Sequence, residues 1–266
     1  MKSLSEQLPE QLPEQLRART GIIELDKMLN GGFMSGDAVL ISGPAGTGKT
    51  NLALQFLYNG ATMFQENGMY ISFEEMPDQI YRDAMSIGMD LRKLEAENKI
   101  RLVCTSPDLL DESDSLFKYV FEELRPKRVA MDSLTLYSLF KKSDTRAEIY
   151  KLVRFFKGKG LTSLLIHESE AKLGKASSAR ERSFAFLVDS IIELRYLEIE
   201  STIRRALAVI KLRGSDHSKE LREFRITSKG IEIDASFRTW EGLFTGAPTR
   251  TLLGGLPQPS TSIGIA

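Results

Sequence analysis

The stretch Gly43-Pro44-Ala45-Gly46-Thr47-Gly48-Lys49-Thr50 decides the fold, because it fills every position of the pattern G-x-x-x-x-G-K-[ST]. That pattern is the phosphate-binding loop of nucleoside triphosphatases when it joins a strand to a helix. Both flanks have the required character. Asp37 to Ser42 ahead of it reads as a buried strand, and Asn51 to Tyr58 behind it reads as a helix with an apolar stripe. The glycines let backbone N–H groups close around phosphate oxygens, and the helix start presents its positive dipole end to them. Lys49 is placed to reach the β- and γ-phosphates. The Thr50 hydroxyl is placed to bind Mg²⁺, so ATP and Mg²⁺ are the expected ligands.

The rest of the chain is compatible with a protein of that kind. It has 266 residues, 42% of them hydrophobic and 27% charged, which allows a substantial core in one large domain or two small ones. Its 36 basic and 36 acidic residues give a formal net charge of zero. Nothing in the overall charge therefore points to nucleic acid or to a membrane surface. Cys104 is the only cysteine, so no intrachain disulfide can form. No apolar run is long enough to span a bilayer, and residues 1–19 lack a hydrophobic signal segment. A cytoplasmic protein without membrane insertion is expected.

Residues 1–16 carry a short Glu-Gln-Leu-Pro repeat and are expected to form a flexible arm. Residues 251–266 are rich in Gly, Pro and Ser and read as a flexible tail. Between them, 17–250 reads as one domain. Strands at Met69–Phe73, Ile100–Cys104, Arg128–Met131 and Leu161–Ile166 alternate with helices at Met76–Ile87, Leu91–Glu97, Asp114–Leu124 and Arg146–Lys157. This alternation implies a parallel sheet covered on both faces. The pattern changes at Ser190–Glu200, Ile203–Leu212 and Leu221–Thr227, which read as consecutive strands and predict an antiparallel extension.

Asp132 ends an apolar strand downstream of the phosphate loop, where a carboxylate can hold Mg²⁺ directly or through water. It can equally cap the helix that begins near Leu134. Glu74 and Glu75 end the strand that follows the phosphate-loop helix. In a parallel sheet that end faces the ligand crevice, so either glutamate can orient a water for in-line attack. His167 ends a further strand, beside Glu168, where a polar side chain can sense the γ-phosphate or simply be solvated.

With these residues in place the chain resembles the KaiC family of RecA-like ATPases, from about Arg19 to Arg250. Arg19 to Leu29 with Gly31-Gly32 resembles the family's lead-in to its phosphate loop, Phe73-Glu74-Glu75 its catalytic glutamate pair, and Arg128 to Ser133 its Walker B strand. Lys211-Leu212-Arg213-Gly214-Ser215-Asp216-His217-Ser218-Lys219, with Arg222 to Gly230, carries the most specific likeness. The resemblance implies a RecA-like P-loop core, with a mostly parallel sheet flanked by helices and C-terminal antiparallel strands. It also implies a homohexameric ring with ATP between subunits, in which Lys211 and Arg213 reach the neighbour's γ-phosphate and Ser215 and His217 lie beside the same phosphates. A regulatory switch that hydrolyses ATP and acts on a protein partner follows from it.

The likeness has two departures. The clock protein of the family has two such domains, whereas one is read here. At the positions of its phosphorylated Ser-Thr pair this chain has Ala185-Phe186, which cannot accept phosphate. A serine/threonine kinase using the same site, with Ser177, Ser178 or Ser183 as acceptors, is the alternative activity. A RecA-like DNA-binding role has only the stretch Lys172 to Arg180, facing a ring pore, in its favour.

Overall fold

A computed structural model describes residues 17–109, 115–140, 145–169, 184–237, 240–241 and 249–250. The expected arm (1–16), the tail (251–266), Asp114, the stretch Lys172 to Arg180 and the candidate acceptors Ser177, Ser178 and Ser183 lie outside them.

In chain order, β1 (Arg17–Ala18), α1 (Ile23–Met28) and β2 (Phe33–Met34) precede β3 (Ala38–Gly43), and α2 (Lys49–Met63) follows it. Then come β4 (Gly68–Ser72), α3 (Pro77–Ser86), α4 (Leu91–Ala96), β5 (Ile100–Cys104), α5 (Ser115–Leu124), β6 (Arg128–Asp132), α6 (Leu134–Phe140), α7 (Thr145–Gly158) and β7 (Thr162–Glu168). The last third is β8 (Ser190–Ile199), β9 (Thr202–Leu212), β10 (Arg222–Thr227) and β11 (Gly230–Ser236), with the short pair β12 (Trp240–Glu241) and β13 (Thr249–Arg250).

One nine-stranded sheet runs β11-β10-β9-β8-β3-β7-β6-β4-β5. The fold is a mixed α/β, RecA-like one. Strands from β8 to β5 are parallel, and β9, β10 and β11 add antiparallel. The expected antiparallel extension is present, with one difference: β8 itself joins parallel to β3, pairing Val39 with Ser190 and Ser42 with Glu193. The extension therefore starts one strand later, at β9. β11 has no counterpart in the sequence reading. Its Ile231 N–H donates to Gln55 Oε1 (2.6 Å), seating it on α2.

Period-two patterning divides the core between the two faces of the sheet. Val39, Ile41, Tyr70, Ala130, Leu164 and Ile166 pack on the side of α1, α2, α3 and α4. Ala38, Leu40, Met69, Ile71, Val129, Met131 and Leu165 pack on the side of α5, α6 and α7. No helix among the described residues is long and apolar enough to cross a membrane.

Arg128, the first residue of β6, is wholly buried on α2. Its Nε donates to Glu66 Oε2 (2.6 Å), its Nη1 donates to Phe56 O (2.8 Å), and its guanidinium lies 4.3 Å from the Phe56 ring centroid. Gly60 is what admits it, since a Cβ there would sit 2.5 Å from Arg128 Cδ and 2.6 Å from Nε. Gly60→Ala gains about 1 kcal/mol of helix propensity, but overpacking against a pinned side chain costs about 1–3 kcal/mol. The expected result is a lower urea midpoint with an unchanged slope.

Candidate active site

The C-terminal ends of β3, β4, β6 and β7 meet at one edge, and the register aligns them: Ser42 with His167, Gly43 with Glu168, and Ser72 with Asp132. Such an edge is where open α/β sheets bind ligands. The phosphate loop leaves β3 there. Gly48 caps α2 with φ 104° and ψ 21°, a left-handed conformation that glycine adopts without cost. It also lies close under the extension, where a Cβ would be 2.7 Å from Ile226 Cδ1. The left-handed turn brings the first N–H groups of α2 to the loop mouth.

Lys49 Nζ donates to Pro44 O across the loop (2.8 Å). Burial pulls its ammonium pKa down, while Glu168, Asp132 and Glu74 oppose that shift. A desolvated cation is stabilised in its charged form by an arriving phosphate anion. Thr47 Oγ1 donates to the same carbonyl (2.8 Å), which fixes the loop. Thr50 Oγ1 donates to Asp132 Oδ2 (2.7 Å), so the two residues expected to hold Mg²⁺ are in contact. Tyr70 OH donates to the same oxygen (2.8 Å). Burial and the Asp132 charge push that phenol well above its ordinary range, which keeps it a donor. Ser133 Oγ accepts from Leu136 N (3.1 Å), so capping of α6 falls to Ser133, leaving Asp132 with Thr50 and Tyr70.

Glu74 and Glu75 have different surroundings. Glu74 is exposed, and burial of part of its carboxyl, then Asp132 and Glu168, raise its pKa against the pull of Lys49 and a hydrogen bond with Ser133. Glu75 is half-buried. Its N–H donates to Ser72 Oγ (3.0 Å), and its Oε2 has no hydrogen-bond partner among the described residues. Burial, then Asp132, Asp83 and Glu74, raise its pKa.

His167 is buried, with its Nδ1 3.0 Å from Thr135 Oγ1 and its ring edge-on to Phe184 at 5.2 Å. Thr135 Oγ1 accepts from Glu168 N (2.8 Å), so its own proton is available to Nδ1. Glu168, Tyr70 and Thr135 were not singled out by the sequence. Glu168 carries the same strand-end signal as His167. Tyr70 lies inside an apolar strand and gives no signal.

Lys211 and Arg213 lie elsewhere. Ser190 pairs with both Val39 and Leu212, which places the end of β9 at the start of β3. From Val39 to Gly43 the strand rises about 13 Å at ~3.3 Å per residue. Lys211 Nζ donates to Ala185 O (2.7 Å) and Val188 O (2.6 Å). Arg213 Nη1 lies 3.6 Å from Asp189 Oδ1. Ser215 Oγ accepts from Arg17 Nη2 (2.8 Å), and His217 Nδ1 is 2.9 Å from Ser218 O. The structure thus gathers Gly43 to Thr50, Glu74, Asp132 and Glu168 at one end of the sheet, with the Lys211–His217 segment away from them.

A parallel sheet with a glycine loop, a buried lysine and a Thr–Asp pair at its C-terminal edge defines a P-loop nucleotide-binding domain. The family model described as "ATPase: KaiC" matches residues 18–237. The circadian clock oscillator protein KaiC of Synechococcus elongatus is 34% identical over 238 residues, covering 88% of this chain and 46% of the relative. The circadian clock protein KaiC3 of Synechocystis sp. is 35% identical over 239 residues, covering 89% and 47%. KaiC of Prochlorococcus marinus is 32% identical over 243 residues, covering 89% and 47%. The chain belongs to the KaiC ATPase family, and it spans about half the length of these curated relatives.

Proposed function

We propose that this chain binds ATP with Mg²⁺ and hydrolyses it in a homohexameric ring, each site being completed by Lys211 and Arg213 of the neighbouring subunit. The observation that carries the reading is the placement of those two cations. They stand at the start of β3, about 13 Å along the strand from the phosphate loop at its end. A side chain so placed serves a phosphate only on another subunit. Phe186, 70% exposed, follows directly on Ala185, whose carbonyl anchors Lys211, and so sets an apolar ring beside the cations.

The residues at the loop fit the ligands. The Thr50 hydroxyl and the Asp132 carboxylate would hold Mg²⁺, with phosphate oxygens and water filling its remaining positions. Bound there, the ion neutralises charge on the phosphates. Lys49 turns from Pro44 O to the β- and γ-phosphates. Glu74 accepts a proton from the attacking water, and Glu75, anchored through Ser72, supports the turn that presents it. Glu168 and the Thr135–His167 pair border the γ-phosphate position, with His167 sensing it through Thr135. Ser215 and His217 approach the neighbour's phosphates with Arg213. In the cytoplasm, where Cys104 stays a free thiol, nucleotide state would set the shape offered to a regulatory protein partner.

Mixing two inactive variants tests the shared site. Lys49→Ala is expected to lower Mg²⁺-dependent ADP release by about 10²–10³-fold, as loss of a preorganised charge donor does. Lys211→Ala/Arg213→Ala is inactive for a different reason. Rings reassembled from both contain interfaces that pair an intact loop with intact cations, so activity returns on mixing. Sites contained within one subunit would show no recovery.

A further inference from the structure

We infer that Asp189 is the positioning residue for Arg213, a fixed carboxylate at the base of the neighbour-facing cation; this rests on the shared-site reading above. Asp189 lies immediately before β8, and its main chain is tied to two strands: its N–H donates to Ala38 O (2.8 Å), and its carbonyl accepts from Arg213 N (3.1 Å). The side chain is 10% exposed, and its Oδ2 accepts from Ala38 N (3.0 Å). The Asp189 N–H and Oδ2 are therefore both anchored to Ala38 at the start of β3. The Arg213 side chain, by contrast, is 55% exposed and touches this carboxylate at 3.6 Å, an ion-pair contact looser than a hydrogen bond.

Lys157 makes the arrangement workable. Its Nζ is 2.6 Å from Asp189 Oδ2, the tightest contact the carboxylate makes. With Lys157 balancing Asp189, Arg213 keeps its full positive charge toward an approaching phosphate and loses only rotational freedom. An Asp189–Arg213 pair alone would present a neutral unit. The same turn fixes Lys211, whose ammonium binds the Ala185 and Val188 carbonyls, neutral groups that add no opposing charge, while burial and then Arg213 pull its pKa down. Asp37 completes the cluster. Burial and then Asp189 push its carboxyl up to about 6, against Lys157 and Arg213, so above that pH it adds a second negative charge, and Lys211 is the third cation that keeps the group positive.

An oriented guanidinium contributes through geometry, and a misplacement of about 1 Å costs up to ~10²-fold in rate. Asp189→Asn keeps an acceptor for Ala38 N and loses the charge that holds Arg213. It is expected to lower kcat roughly tenfold to a hundredfold, with KM for ATP and ring mass unchanged. Chemical rescue separates positioning from a structural role. Millimolar guanidinium should restore part of the turnover of Arg213→Ala, because Asp189 still offers its seat, and none in Arg213→Ala/Asp189→Asn. In Arg213→Ala/Lys157→Met, where Asp189 is unshared, rescue should need less guanidinium, an arm that stands even if Asp189→Asn does not fold. Wild-type kcat in Asp189→Asn, or rescue indifferent to Asp189 and Lys157, overturns the inference while leaving the shared site intact. Wild-type turnover in Arg213→Ala overturns the shared site itself.

Discussion

Lys211→Ala/Arg213→Ala is expected to lower ATP turnover by about 10³-fold or more, the range a cation supplied to a transferring phosphoryl group contributes. The size of the effect follows from where charge develops. As the γ-phosphoryl leaves, charge spreads over its oxygens, and a cation held rigidly in a site shut off from water stabilises it without reorganising. Lys211, fixed by two carbonyls, and Arg213, seated on Asp189, are preorganised in this sense. Neither touches its own phosphate loop, so binding of ATP to an isolated subunit should change little. A fluorescent ATP analogue titrated into the variant under dissociating conditions checks the second half, and single-turnover ADP release checks the first. Equal losses in binding and turnover would mean that the substitutions damage the subunit rather than the shared site.

Much of this arrangement was legible in the sequence because glycine and charge spacing are local signals. The strand, loop and helix around Gly43–Thr50 announce themselves through composition alone, and Asp132 stands out as the polar residue ending an apolar strand. The parallel sheet follows from alternation, and its two-faced core from the runs of apolar residues in β3, β4, β6 and β7. What was not legible depends on register. Nothing in Ser190 to Ile199 says that β8 lies parallel to β3, yet that pairing brings Asp189 to Ala38 and carries Lys211 and Arg213 to the far end of the sheet. Spacing puts Lys211 and Arg213 two apart on a strand. In the structure β9 ends at Leu212, the register slips by one between Ile191 and Ile192, and the two cations share the 185–189 turn instead. Tyr70 was invisible for a related reason. An aromatic in an apolar strand is core by any local rule, and only the pairing of Ser72 with Asp132 brings its hydroxyl to the Asp132 carboxylate.

The glutamate pair can be divided by the same geometry. Glu74→Gln is expected to cost about 10²–10⁴ in turnover, the contribution of a positioned general base, while Glu75→Gln costs markedly less. Both glutamates feel Asp132, but Glu74 alone is also coupled to Lys49 and Glu168 at the loop mouth, whereas Glu75 is coupled to Asp83 and Arg82. The pH profile carries an independent signature. The base must be ionised to accept a proton, and burial with the Asp132 and Glu168 charges raises the Glu74 pKa above its ordinary 4.5. Turnover should therefore fall as pH drops through that raised value, at a higher pH than an isolated glutamate would give. Glu168→Gln removes one of the like charges, so the acidic limb should move to lower pH in that variant. Movement in the opposite direction, or a limb unaffected by Glu168, would assign the base to another group. Equal losses in Glu74→Gln and Glu75→Gln would show that the two carboxylates act on the water together.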